Sequence, residues 1–263
     1  MRRPLFLAAA GVAASTAAFG AYRFIVRPLY ETWGTDPAEK ERLLPGDELL
    51  ATPTGSETRG IAIEAPPAAI WPWLVQMGYG RAGWYSYDAL DTRGSRAREI
   101  VPEWQSISSG GTMPTSPAGG WEIAQVEPEH ALVLYLDDTI VERQRVAAEA
   151  AKGAEKVPTG RAVSGAILGT QPTKFKASWV FVLEPIDGQR TRLIERARVE
   201  YPEMGRMSRL TGPLLGFGVF VMMRRQMLGL KERAERLIQP AVEPEGERSA
   251  APIDTPGVAP AEA

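Results

Sequence analysis

The sequence contains no cysteine and only one histidine, His130. The absence of cysteine excludes disulfides, thiolate nucleophiles and cysteine-ligated metal sites. A single histidine removes most acid–base and metal-binding constellations, and its place beside Glu129 at a predicted turn is typical of an ordinary surface residue. The chain also lacks a nucleophile elbow, a phosphate-binding loop and any metal-ligand spacing. We therefore expect neither a metal nor a cofactor.

The chain also lacks a surplus of basic charge. Its formal net charge is -2, with 44% hydrophobic and 24% charged residues, which is ordinary for a globular protein. Proteins that bind nucleic acid carry a basic surplus on one face, so we expect no nucleic-acid partner. The length of 263 residues suffices for one good-sized domain with appendages, although length alone also allows two small domains.

An uncharged stretch, Leu5–Tyr22, lies between basic residues near the start of the sequence. At about 18 residues it reaches the lower limit for crossing a hydrocarbon core of ~30 Å. A cleaved signal peptide is the alternative, because a basic start, an apolar middle and small residues near Ala18–Ala21 fit that pattern too. Apolar residues continue past Arg23, so we predict an uncleaved anchor over residues 1–29 and a membrane location. The basic residues on its two sides lean slightly towards a cytoplasmic domain.

The remaining sequence divides by composition. Residues 30–57 are polar and charged, with turn signals at Asp36-Pro37 and Pro45-Gly46, and are predicted to be a linker segment. The core domain is predicted over residues 58–239. Residues 240–263 are rich in proline, alanine and glutamate, and we predict that this tail is disordered because it has almost nothing to bury.

One internal segment interrupts the predicted domain. Thr139–Gly153 is helix-forming and highly charged, and the residues from there to Pro172 show no clear period. We predict an insertion between strands over residues 139–172. A solvated excursion is the simplest interpretation, and a cover over the mouth of a pocket is the alternative.

Hydrophobic periodicity predicts an α+β fold for the domain. Ile61 and Ile63 share one face of an extended segment, and similar extended segments follow at 121–126, 131–136, 174–183 and 191–201. Arginines alternate outward on the last of these segments, at Arg192, Arg196 and Arg198. A long helix from about Leu214 to Ile238 carries an apolar stripe made of Phe220, Met223, Met227, Leu230, Ala234 and Leu237. This order indicates an antiparallel sheet covered on one face.

Two stretches of the sequence carry a family resemblance. Residues 65–88 are APPAAIWPWLVQMGYGRAGWYSYD, and WGTD at 33–36 is followed by LLPGDEL at 43–49. They resemble the START-like, or SRPBCC, superfamily of polyketide cyclases and lipid-transfer domains, and more closely its membrane-anchored bacterial members. The resemblance covers roughly residues 30–238, with a poor match over 138–172. It implies a helix-grip fold, in which the last helix lies across a curved antiparallel sheet and a cavity forms between them.

Aromatic residues and methionine are the candidates for lining such a cavity. Tryptophan and tyrosine suit an apolar pocket because each combines a large apolar face with one hydrogen-bonding tip. The same residue types at core spacing also fit an ordinary core, and both interpretations stay open. The candidate ligand-binding residues are Trp84, Tyr85, Tyr87, Trp104, Trp179, Phe220 and Met223.

A catalytic role would fall to a carboxyl group or a tyrosine of the domain. A buried carboxylate with a raised pKa can act as a general base, and four carboxylates lie on or next to predicted core elements: Asp88, Glu103, Glu184 and Glu195. An ion pair or a capping role would also explain each of them. The catalytic candidates are Asp88, Glu103 and Tyr87, whereas Ser86 has no histidine partner for nucleophilic catalysis.

Together, these observations predict a membrane-anchored START-like domain that binds a hydrophobic small molecule or a lipid in an internal cavity, without catalysis. The first alternative is a polyketide cyclase- or dehydratase-like enzyme that uses a pocket carboxylate or tyrosine as acid and base. The second is a protein-interaction scaffold with a filled core. A carboxylate that faces the cavity with a strongly perturbed pKa would favour the enzyme.

Overall fold

The computed structural model describes residues 16–17, 19–87, 97–152, 174–201 and 206–238. These residues build one six-stranded antiparallel sheet. Its strands are β1 (Gly55–Ile63), β2 (Thr112–Ser116), β3 (Gly119–Glu127), β4 (Ala131–Asp137), β5 (Lys176–Pro185) and β6 (Thr191–Glu200). They pair in the order β1-β6-β5-β4-β3-β2, so that the first and last strands in sequence are neighbours.

The helices lie before, between and after these strands. They are α1 (Arg27–Glu31), α2 (Pro37–Glu41), α3 (Pro67–Val75), α4 (Asp138–Lys152) and α5 (Arg206–Ile238). A π-helical turn over Tyr22–Val26 leads into α1. The start of α3 follows from Pro67 in its first turn, where proline has a suitable φ and its missing N–H has no helical partner to lose.

The hydrophobic core lies between one face of the sheet, which we call the inner face, and the pair α3 and α5. The inner face contributes alternate residues of its strands, as the pleat requires, and the fully buried ones include Ile63, Leu132, Leu134, Phe181, Leu183 and Leu193. Helix α5 begins at Arg206, earlier than the predicted start near Leu214. This architecture confirms the predicted α+β class and fits a helix-grip fold.

The apolar stripe of α5 is buried over most of its length. Met223, Met227, Leu230 and Ala234 are all buried, whereas Leu237 is 51% exposed. The prediction that Leu237 belongs to the core is therefore wrong. It lies on the last turn of α5, directly before Ile238, the last residue of the part of the chain that the structure describes.

Residues 30–57 pack as part of the fold instead of forming a free linker. Leu44 and Leu50 are buried, and Leu44 packs with Val133 and Val180 on the outer face of the sheet. Strand β1 begins at Gly55, three residues before the predicted domain boundary. The outer face of an antiparallel sheet can be left to solvent, but here the N-terminal segment covers it.

Arg196 fastens this segment to the sheet. Arg196 lies on the outer face of β6, as predicted, but its side chain is buried beneath the N-terminal segment. It pairs with the buried carboxylate of Asp47 at 2.5 Å and also donates to the carbonyl oxygens of Glu39, Lys40 and Arg42. Periodicity identified the face of the sheet, whereas the cover on that face depends on residues about 150 positions earlier in the chain.

The first part of the predicted insertion is helix α4, which packs against β3 and β4. Ile140 is buried, and the side chain of Gln144 both accepts from the N–H of Gly120 and donates to its carbonyl oxygen, each at 3.0 Å. A purely solvated excursion therefore does not describe residues 138–152. The remainder of the predicted insertion lies outside the described residues, as does the predicted tail 240–263.

Among the described residues, no helix is both long and apolar enough to cross a bilayer. Most of the predicted anchor, residues 1–29, precedes residue 16 and lies outside that part of the chain.

Candidate functional site

The inner face of β3 and β5 carries a group of stacked aromatic rings, which we call the aromatic wall. Trp179 is at its centre. Its ring stacks on Trp84 at a centroid distance of 5.4 Å and an interplanar angle of 23°, and it lies 5.7 Å from Trp121 and 5.1 Å from Phe181. Trp121 and Trp179 come from strands, whereas Trp84 comes from the loop after α3.

The three tryptophans of the aromatic wall are only partly buried. Their neighbours on the same face of the sheet differ, because Leu134 and Phe181 are 0% exposed. One part of the inner face is thus sealed by α3 and α5, and the part with the tryptophans stays accessible. Partly exposed aromatic rings beside a sealed core are a typical contact surface for an apolar ligand.

Glu195 lies at the base of the aromatic wall. Trp179 donates its indole N–H to one carboxyl oxygen of Glu195 at 2.6 Å, and Glu195 itself is 0% exposed. Its second carboxyl oxygen has no hydrogen-bond partner among the described residues. Burial raises the pKa of Glu195 to about 7, although the positive charge of Arg59 acts in the opposite direction.

Arg59 is the residue directly opposite Glu195 on β1. It is also 0% exposed, and it pairs with Glu57 on its own strand. It donates to the carbonyl oxygen of Tyr30 at 3.1 Å and to the sulfur of Met223 at 3.1 Å. A buried guanidinium requires such partners, because an unpaired buried charge is strongly unfavourable.

Phe220 and Met223 of α5 lie over this buried arginine. The guanidinium carbon of Arg59 is 5.6 Å from the centroid of the Phe220 ring, and Phe220 also contacts Tyr30 and Trp33, with centroid distances of 5.8 and 6.3 Å. These two predicted ligand residues therefore share a cluster with Tyr30 of α1 and with Trp33, which follows α1. The structure gives them Arg59 as a common neighbour.

The other predicted ligand residues lie elsewhere. Tyr85 is buried in the core, where its hydroxyl donates to the carbonyl oxygen of Trp73 at 3.0 Å. Tyr87 is 42% exposed. Trp104 is partly buried against the core, and its carbonyl oxygen accepts from Arg81 at 2.5 Å.

The candidate catalytic groups are scattered as well. Glu103 is exposed, and Glu184 pairs with Arg42 at 2.7 Å. Asp88 lies outside the described residues. Ser86 donates to the carbonyl oxygen of Met222 at 3.1 Å, and His130 is an exposed residue next to Glu127. Of the four carboxylates considered, Glu195 is the one that the structure places in the aromatic wall.

Sequence reasoning missed Arg59 and Trp121 as parts of the site. The sequence contained a signal for Arg59. It is two residues before Ile61 and four before Ile63, so its side chain lies on the same, apolar face of the strand. A charged residue in such a position is a marker for a buried polar contact. Trp121 has the same parity as the buried Ile123.

Within the described ranges, no group of three or more acidic or histidine side chains could hold a metal ion. A surface depression at the turn between β5 and β6 is lined by Glu64, Asp187, Gly188, Gln189 and Arg190. Its lining is polar and charged, and it shares no residue with the aromatic wall.

No protein-family model matches the chain, and no curated protein matches it either. Among solved structures, it is similar to a protein from Mesorhizobium loti with 15% identity and a TM-score of 0.36, over 69% of this chain and 98% of that one. A solution structure of a protein from Arthrobacter aurescens has 15% identity and a TM-score of 0.36, over 74% and 93%. The Zhui aromatase/cyclase from Streptomyces sp. R1128 has 11% identity and a TM-score of 0.28, over 72% and 98%. All three TM-scores lie below 0.5, so these structures add no argument about the function of this chain.

Proposed function

We propose that this protein is a START-like domain of the SRPBCC type that binds a hydrophobic small molecule or a lipid between α5 and the inner face of its sheet. The observation that carries this proposal is the partial exposure of Trp84, Trp121 and Trp179 on the inner face of the sheet and in the loop that packs on it. The resemblance of residues 65–88 to that superfamily supports it, and so does the six-stranded sheet with its long last helix.

The chemistry of the aromatic wall favours a ligand with a broad apolar surface. Each tryptophan offers a large flat face, and covering such a face with an apolar ligand releases about 25 cal/mol per Å² of surface removed from water. Glu195 adds one polar feature at the base of the wall. Its unpaired oxygen is buried, so a polar group of the ligand reaches it only after a neighbouring side chain moves. The carboxyl then donates a hydrogen bond when it is protonated and accepts one when it is ionised.

We also propose that residues 1–29 hold this domain at a membrane. Phe19, Phe24 and Leu29 are each at least 67% exposed. Large apolar side chains are rarely left in water as a contiguous surface. Phe19 belongs to the uncharged stretch Leu5–Tyr22, and Phe24 and Leu29 extend its apolar character past Arg23 and Arg27.

Glu195 also supports a second candidate function, the cyclase- or dehydratase-like enzyme. A carboxyl group with a pKa of about 7 can both donate and accept a proton near neutral pH. In that case Glu195 acts as the acid and base in place of Asp88, Glu103 or Tyr87. Turnover that is lost in Glu195→Gln while ligand binding persists would favour the enzyme over the carrier.

The experiment that tests ligand binding uses the detergent-solubilised full chain and the apolar dye Nile red. Trp179→Ala should weaken dye binding by roughly tenfold or more, because it removes a large apolar contact worth a few kcal/mol. Trp71→Ala is the matched control, since Trp71 is a partly buried tryptophan of α3. Unchanged binding in Trp179→Ala would contradict the proposal and favour a scaffold with a filled core. Independently of the dye, native mass spectrometry of the same full-length protein would identify any co-purified lipid.

A further inference from the structure

The helical segment ahead of the domain exposes apolar side chains on more than one side. Phe24, Ile25 and Val26 are consecutive, and they are 77%, 61% and 42% exposed. These residues belong to the π-helical turn Tyr22–Val26, and consecutive side chains of a helix point in different directions around its axis. A narrow groove on another protein would cover only part of such a surface. A helix that is apolar in several directions is typical of a protein core or of a segment surrounded by lipid, and here these side chains are not covered by the core.

The same segment is open further towards its start. Phe19 is 67% exposed, and a Cβ added at Gly20 would meet nothing within 4 Å. The sequence before residue 16 continues without charge back to Leu5. The exposed side chains are thus the domain-side end of a longer apolar stretch, and a bilayer is the partner that suits both its length and its composition.

Tyr30 joins this segment to helix α5. It is 4% exposed, and its hydroxyl lies 2.6 Å from the hydroxyl of Tyr22, one of them donating to the other. Its ring meets that of Phe217 at a centroid distance of 6.1 Å and an interplanar angle of 76°. Phe217 is itself 46% exposed. The buried Tyr30 therefore places the exposed Phe217 of α5 next to the N-terminal segment.

We propose that a lipid bilayer contacts both residues 19–29 and Phe217, so that this part of α5 lies at the membrane surface. This inference rests on the proposed membrane attachment and adds an orientation to it. Phe220, one turn further along α5, lies over Arg59 near the candidate site. A hydrophobic ligand could then pass between the bilayer and the site without crossing water.

The absence of cysteine makes the test direct. Phe24→Cys, Phe217→Cys and Ile186→Cys each provide one labelling position for an environment-sensitive nitrobenzoxadiazole dye. Ile186 is the matched control, because it is 47% exposed and belongs to the turn between β5 and β6. The labelled full chains are reconstituted into phosphatidylcholine–phosphatidylglycerol vesicles with and without doxyl-labelled lipid. Circular dichroism of each variant confirms that it is folded.

We expect doxyl lipid to quench the dye at positions 24 and 217 at least twofold, and to leave the dye at position 186 unquenched. Quenching at 24 with none at 217 would overturn this orientation and leave the membrane attachment intact. No quenching at 24 would overturn both. Equal quenching at 217 and 186 would also contradict the orientation, because the contact would then not be specific to this surface.

Discussion

Arg59 and Glu195 lie directly opposite each other on β1 and β6, and both side chains are fully buried on the inner face of the sheet. Glu57, two residues before Arg59, pairs with the same guanidinium. Arg59 thus has two carboxyl groups near it inside an apolar core. Since Glu57 already neutralises its charge, Glu195 gains less from ionisation than a carboxylate with its own cation would. This arrangement explains why burial dominates the pKa of Glu195.

The raised pKa of Glu195 predicts a pH-dependent stability. The folded protein holds the proton of Glu195 more tightly than the unfolded chain, in which the ordinary pKa is 4.5. The cost of burying Glu195 is therefore absent below about pH 4.5, grows as the pH rises, and is complete above about pH 7. Glu195→Gln removes the titration, and its amide oxygen can still accept from Trp179.

We expect the stability advantage of Glu195→Gln over the wild type to be roughly 2–3 kcal/mol larger at pH 8 than at pH 5. Urea unfolding of the full chain in mild detergent at both pH values measures this difference. Glu103→Gln is the control, because Glu103 is an exposed carboxylate. An advantage that is the same at both pH values would mean that Glu195 titrates normally.

The contact between Arg196 and Asp47 predicts that the N-terminal segment is required for folding. Arg196→Met removes the buried one of the two cations that pair with Asp47, leaving Arg198 at 3.2 Å, and it leaves three backbone carbonyls without their donor. Breaking a buried ion pair from one side costs about 3–5 kcal/mol. We therefore expect a loss of this size in the free energy of unfolding.

Arg190→Met provides the comparison for that measurement. Arg190 pairs with Asp187 at 2.8 Å, but both side chains are close to half exposed. Exposed pairs of this kind contribute little to stability, because water and salt screen them. If Arg196→Met proved as mild as Arg190→Met, residues 30–57 would behave as a linker after all.

Helix α4 predicts a smaller effect at the edge of the sheet. Gln144→Ala removes both hydrogen bonds to the backbone of Gly120, and each such bond contributes about 1 kcal/mol. A loss of roughly 1–2 kcal/mol in urea unfolding would show that α4 supports the hairpin of β2 and β3. Gln189→Ala serves as the control, because Gln189 is an exposed residue of a turn. No loss in Gln144→Ala would show that these two hydrogen bonds do not support the hairpin.

The sequence was sufficient to predict the layers of the fold, because alternation reports directly which side of a strand is apolar. It identified Arg196 as a residue of the outward face. It did not predict what covers each face, since the partners of Arg196 come from residues 39–47, far away in the sequence. Contacts of this kind depend on the chain path and leave no local pattern.

The candidate site shows the same limit. Glu103 and Glu195 look alike in sequence, as single carboxylates within or near core elements, yet one is exposed and the other is buried. The difference arises from strand pairing, which puts Glu195 opposite Arg59 and next to Phe181. Tyr85 was predicted as a ligand residue, and the structure places it in the core with its hydroxyl bonded to Trp73.

The two halves of α5 are predicted to respond differently to truncation. Leu230 is 0% exposed and belongs to the core, whereas Phe220 is only partly buried, over Arg59. Leu230→Ala should cost about 2–5 kcal/mol, the range for a buried leucine. Phe220→Ala should cost clearly less, because a partly buried ring leaves a smaller cavity, and it should weaken Nile red binding as well.

Gly216 and Gly218 precede Phe220 in the helix, and each weakens a helix by about 1 kcal/mol relative to alanine. This half of α5 can therefore open more easily to admit a ligand. Urea unfolding and dye titration of both variants test the difference. Equal destabilisation with unchanged dye binding would show that Phe220 is ordinary core and that this end of α5 does not admit the ligand.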